Sequence, residues 1–187
     1  NAQSTLDLQV GKDDEISDIE ALAASSANKI LAFGSHSRNK DCEAKPNRRR
    51  FGTVDLSKKE TAVQQTPGSG KLACDRLFGE QQLDAAMEAA CKAIESAEET
   101  AAHIDDDLRT GKISENAAET LCNAAGAYNA EGAVAIHTTR GTEVWIGLRA
   151  PLLPAAPGQP EKRNLAILLH MKDPAAYRFD RVAFVDL

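Results

Sequence analysis

The sequence predicts an α+β fold, with a helical hairpin and an N-terminal helix packed on a C-terminal antiparallel sheet of about four strands. Apolar residues recur at helical spacing from Leu83 to Leu108, and a second, shorter helical stripe follows Gly111. From Gly132 onward apolar and polar residues alternate, as strands with one buried face do. At 187 residues, with 42% hydrophobic and 27% charged residues, the chain suits a single domain with a substantial core.

Leu6, Leu8 and Val10 alternate with Asp7 and Gln9 and predict a short strand. Ile16, Ile19, Ala23, Ala27, Ile30 and Phe33 then fall at helical spacing. Ser17 to Glu20 has the form of a capping box and Gly34 is a natural stop, which together predict the N-terminal helix. Residues 35–79 carry basic, Pro and Gly residues with little periodicity, so an irregular excursion is expected, with a short strand at "FGTVDL", 51–56.

Residues 81–128 make the helical hairpin. Its first helix carries the stripe Leu83, Met87, Cys91, Ile94, Ala97, Ala101, Ile104 and Leu108, and Gly111 ends it. Ser114 caps the second helix, whose expected inner face carries Ala117, Leu121, Ala124 and Tyr128. The sheet occupies 132–187, with strands expected at 133–139, 142–149, 164–171 and 178–186. The proline-rich "APLLPAAPGQPEKRN" between the second and third strands reads as a stiff, extended connector.

The net charge of −6 is unevenly spread. Six Lys or Arg stand against two acids between Gly34 and Arg50, while eleven acids stand against three bases between Gln81 and Glu131. The basic run lacks the interleaved aromatics of a single-strand nucleic-acid binder, so it is expected to dock on the protein's own acidic face or to be solvated. No apolar stretch reaches the roughly 18 residues of a membrane span.

Cys42, Cys74, Cys91 and Cys122 form no C-x-x-C pair, against a zinc ribbon or thioredoxin-like site. Their even number and wide spacing predict two disulfides in an oxidising compartment, with the chain secreted or periplasmic. If the hairpin turns near Lys112, Cys91 lies about 18 Å along the helices from Cys122, beyond the ~7 Å reach of a bridge. Cys42 and Cys74 are then expected to tether the excursion to the helices.

Sequence patterns for catalysis and metal binding fail in detail. "HIDDDLRTGKISENAAETL" resembles a calcium loop, but setting Gly111 at its sixth position puts Leu108 and Ala117 where oxygen ligands belong. The three aspartates are instead expected in the last turns of a helix. "QQTPGSGKLA" departs from a phosphate loop at Gln65 and Leu72, losing a glycine turn and a magnesium-binding hydroxyl. Neither a metal nor a cofactor is expected.

The best candidate for a functional surface is the first hairpin of the sheet. A three-residue loop, Thr139 to Gly141, aligns Val134 with Ile146 and Ile136 with Val144 on one face. The opposite face would carry His137 across from Glu143, with Trp145, the only tryptophan, and Arg149 beside them. His137, Glu143, Trp145 and Arg149 are therefore the expected binding residues, with another protein or a small ligand as partner. A covered face with Trp145 in the core is the competing reading. The composition points to a secreted or periplasmic protein that acts by binding, as an inhibitor, immunity-type or adaptor protein. The alternative is a small secreted hydrolase with a Cys or Ser nucleophile and His137 or His170 as base.

Overall fold

A computed structural model describes residues 15–58, 60–65, 74–139, 141–154, 164–173 and 177–187. The expected strand at 6–10, the segment 66–73 that resembles a phosphate loop, and most of the proline-rich connector (155–163) lie outside the described residues.

The chain is an α+β protein with two antiparallel sheets. The first holds β1 (Ile19–Ser26), β2 (Lys29–Gly34), β3 (Arg50–Asp55) and β4 (Glu60–Gln65), in that order. A short helix α1 (Cys74–Phe78) follows, then the hairpin of α2 (Ala85–Arg109) and α3 (Glu115–Ala125). The second sheet holds β5 (Asn129–Thr138), β6 (Gly141–Ala150), β7 (Leu153–Pro154), β8 (Asn164–Asp173) and β9 (Arg178–Asp186). Here β5 pairs with β6, β6 and β7 pair with one edge of β8, and β9 pairs with the other.

The predicted N-terminal helix is absent, because residues 19–34 form a β-hairpin whose chain reverses between Ser26 and Lys29. Alanines at 21, 23, 24 and 27 favour helix intrinsically, yet small residues also suit closely packed strands, and tertiary packing decides. Ala21, Ala23, Leu31 and Phe33 point into the core, whereas Leu22, between two of them, is 60% exposed. The excursion is also less irregular than its composition predicts. It contains the expected strand, now β3, and a further strand, β4, completing the first sheet.

The helices follow their stripe. Asp84 caps α2 by accepting from Met87 N–H at 2.8 Å, and Met87, Cys91, Ile94, Ala97, Ala101 and Ile104 are all buried. Ser114 caps α3 as expected, but α3 is rotated relative to its predicted face. Ala118 is buried and Leu121 is 45% exposed. The small side chain of Ala118 lets α3 lie close to Ala101 and Ile104 of α2, while Cys122 on the same face bridges Cys42. The second disulfide joins Cys74 to Cys91, and both bridges have Cα atoms 5.4 Å apart. Each therefore ties a residue of the 35–79 segment to a helix. Residues Asp105 to Asp107 occupy the last turns of α2, where Arg109 and Lys112 pair with them.

One core cluster draws Phe33 and Phe51 from the first sheet, Met87 and Ile94 from α2, and Val144, Ile146, Leu169 and Phe179 from the second sheet. With its inner face against this cluster, the second sheet turns its other face outward. No helix among the described residues is long and apolar enough to cross a membrane.

Candidate functional site

The outward face of the second sheet is set by the pairing of its strands. Thr138 lies opposite Gly141, so the hairpin closes with two residues between them and the pairing shifts by one residue from the expected register. Val134 then faces Trp145 and Ile136 faces Glu143, while His137 lies opposite Thr142. A one-residue slip exchanges the faces of a strand. The core takes Ala133 and Ala135 at its margin, and the larger Val134 and Ile136 are turned to solvent, 53% and 46% exposed.

This register divides the four expected residues. Glu143 and Trp145 remain together on the outward face. His137 points to the other side of β5, where its Nδ1 meets Thr142 Oγ1 at 2.9 Å. Arg149, near the far end of β6, pairs with Glu131 at 2.6 Å. His170 of β8 takes the place beside Trp145 that was expected for His137. Trp145 is half-buried on this face and does not enter the core cluster.

Two cross-strand rows build the face. Val134, Trp145, His170 and Arg181 lie side by side on β5, β6, β8 and β9, and Gly132, Gly147, Leu168 and Ala183 form the next row. Gly132 and Gly147 carry no side chain, so the second row sits lower than its neighbour. The result is an open apolar groove of about 450 Å³ walled by Val134, Ile136, Trp145 and Leu168.

A polar network closes one side of the groove. Arg181 lies over the Trp145 ring at 5.4 Å, donates to Glu143 Oε2 at 3.2 Å and reaches His170 Nε2 at 2.8 Å. His170 Nδ1 meets Asp180 Oδ1 at 2.5 Å and Arg181 Nε at 3.3 Å, so both ring nitrogens are engaged. The ring of His170 packs 4.9 Å from that of Trp145. This arrangement holds Arg181 against the indole at the aromatic edge of the groove. It also leaves neither ring nitrogen of His170 without a neighbour, whereas a catalytic base needs one open to substrate. All four cysteines are in disulfides, which removes the thiol nucleophile of the hydrolase reading.

A second polar cluster lies inside the molecule. Glu98 of α2 is fully buried and accepts from Arg38 at 3.1 Å and Arg49 at 2.7 Å through one oxygen, and from Tyr128 N–H at 3.1 Å through the other. Beside it the ring of His36 stacks on Tyr177 at 4.6 Å, and the Tyr128 and Tyr177 hydroxyls meet at 3.0 Å. Burial lowers the His36 pKa to about 3 and pushes both phenols well above their ordinary value. Two cations of the basic run thus dock on a single acid of α2, as its charge asymmetry suggested. Sequence reasoning overlooked Glu98, although it sits four residues after Ile94 and three before Ala101, directly on the apolar stripe.

Comparison with protein-family models, with curated proteins and with solved structures yields no match.

Proposed function

We propose that this protein is secreted or periplasmic and works by binding, in the manner of an inhibitor, immunity-type or adaptor protein, through the outward face of its second sheet. The observation that carries the reading is the open groove of about 450 Å³, in which Val134 and Ile136 stay about half exposed around a single tryptophan. Exposed apolar residues gathered in one place are unusual on a face that meets only water, and a rigid aromatic with an arginine over it is the composition of a binding hot spot. Two disulfides fit an oxidising compartment. The groove suits an apolar side chain of a partner protein or the apolar part of a small ligand, with Glu143 and Arg181 available at its rim for polar contacts.

The test compares wild type with Trp145→Ala, each immobilised and exposed to the extracellular or periplasmic fluid of the producing organism. A partner retained by wild type should be lost at least ten-fold in the variant, with the thermal midpoint moved by no more than a few degrees. Retention of the same partners by both proteins overturns the reading. A large loss of stability would instead assign Trp145 to support of the fold.

A further inference from the structure

A cleft of about 290 Å³ lies between residues 37–40, the C-terminal turn of α3 and the ends of β5 and β6 nearest Asn129 and Arg149. It is distinct from the apolar groove and opposite in character. Arg38, Lys40 and Arg149 line it together with three asparagines, and no carboxylate does.

Two lining residues carry buried atoms that lack a hydrogen-bond partner, Arg38 at Nε and Asn129 at Oδ1. The Arg38 side chain is only 3% exposed. Its terminal nitrogens are engaged by Glu98 and by the Cys42 carbonyl, which leaves the Nε–H as the group calling for an acceptor. Both atoms belong to residues that line the cleft, and a buried polar atom without a partner is destabilising. Glu98 brings one negative charge to the two guanidiniums it holds. Lys40 makes no ion pair among the described residues, and Arg149 shares its charge with Glu131. The carbonyls at the end of α3 oppose an anion, but they amount to about half a unit charge against full cationic groups.

We propose that this cleft binds a small oxyanion, a carboxylate or a phosphate-like group. Lys40 and Arg149 supply the attraction, and Arg38 Nε–H and the Asn129 amide supply direction. Both atoms are closed to solvent, so an anion drawn into the cleft reaches them only as the lining side chains shift, and a hydrogen phosphate would then accept from Arg38 Nε–H and donate to Asn129 Oδ1. A carboxylate or sulfate pairs with both residues once the Asn129 amide is turned to present its NH₂, a rotation that exchanges nearly isosteric atoms.

The test is a titration of the ¹⁵N-labelled protein with inorganic phosphate, sulfate or acetate, at ionic strength held constant with chloride. Expected are saturable shifts of the Arg38 Nε–H and Asn129 side-chain resonances. Lys40→Ala and Arg149→Ala should each weaken binding about three-fold, as loss of one partly exposed charge does. Their chloride spectra should match wild type away from the cleft, since both side chains are exposed. Saturation by phosphate alone identifies a protonated tetrahedral anion, by phosphate and sulfate a tetrahedral one, and by acetate a carboxylate. Shifts that never saturate, or that saturate equally in both variants, overturn the proposal.

Discussion

Polar groups lie inside this molecule beneath residues 36–49, and apolar groups lie outside it on the second sheet. In the interior cluster, Glu98, Arg49 and His36 are fully buried and held by specific partners. On the sheet, Val134 and Ile136 remain about half exposed, although Ala133 and Ala135 beside them in sequence pack at the edge of the core. Buried charges stabilise a fold only while each keeps its partner, and half-exposed apolar residues contribute little to it. The first region therefore holds the structure together at one point, and the second is free to serve something else. Substitutions should separate the two, with large effects on stability inside and small ones outside.

The largest effect is expected at Glu98. Glu98→Ala leaves the Arg38 and Arg49 guanidiniums without their shared carboxylate in a desolvated site, and it removes the acceptor of Tyr128 N–H. Stability should fall by about 3–5 kcal/mol, read as a shift in the guanidinium chloride midpoint. A loss below about 1 kcal/mol would mean that water replaces the carboxylate easily, and the contrast between the two regions would collapse.

His36 sharpens the same contrast through pH. In the unfolded chain it takes up a proton near the ordinary histidine value of about 6.5, whereas in the folded site burial holds its pKa at about 3. Between these values the unfolded state binds more protons, so stability falls as pH falls, by about 1.4 kcal/mol per unit at most. Above about pH 6.5 the contribution is complete. His36→Phe keeps a ring against Tyr177 but loses the contact with the Gly34 carbonyl, at a cost of about 1–3 kcal/mol near neutrality. Its deficit relative to wild type should therefore shrink as the pH is lowered from 7 to 4. Unfolding curves that stay parallel over this range would show that His36 is protonated in the folded protein.

Much of this architecture is legible in the residues. The α2 stripe, the Ser114 cap and the four long strands of the second sheet follow from spacing, because long periodic segments bury one face whatever they pack against, whereas the two-residue β7 lies in the segment that reads as a connector. The first hairpin carries a helical pattern because an alanine-rich segment satisfies both periods, and the packing of Phe33 and Phe51 in a common core decides between them. The pattern of the β5–β6 hairpin predicts Val134 and Ile136 buried with Val144 and Ile146, and the structure pairs the strands one residue away from that register. The two largest apolar residues of β5 instead face outward. Glu143 and Trp145 were placed correctly relative to each other. His170, Arg181 and Asp180 could not be joined to them from sequence, since their meeting depends on the pairing of β6 with β8 and of β8 with β9.

The smallest stability effect is expected at the floor of the groove, and it separates the regions most cleanly. A Cβ placed on Gly132 meets nothing within 4 Å, so a side chain there enters open space above the sheet. Gly132→Val supplies a residue that favours strands and loses less conformational freedom on folding, so stability should hold or rise by up to about 1 kcal/mol. The valine would also occupy the space between Val134 and Leu168 that a bound apolar group would need. Trp145, the sole tryptophan, reports on this directly. Its emission should shift to shorter wavelength in the variant, and a partner captured by wild type should be lost. An unchanged partner with a shifted emission would leave the groove filled yet irrelevant, and binding would have to be sought elsewhere on the molecule.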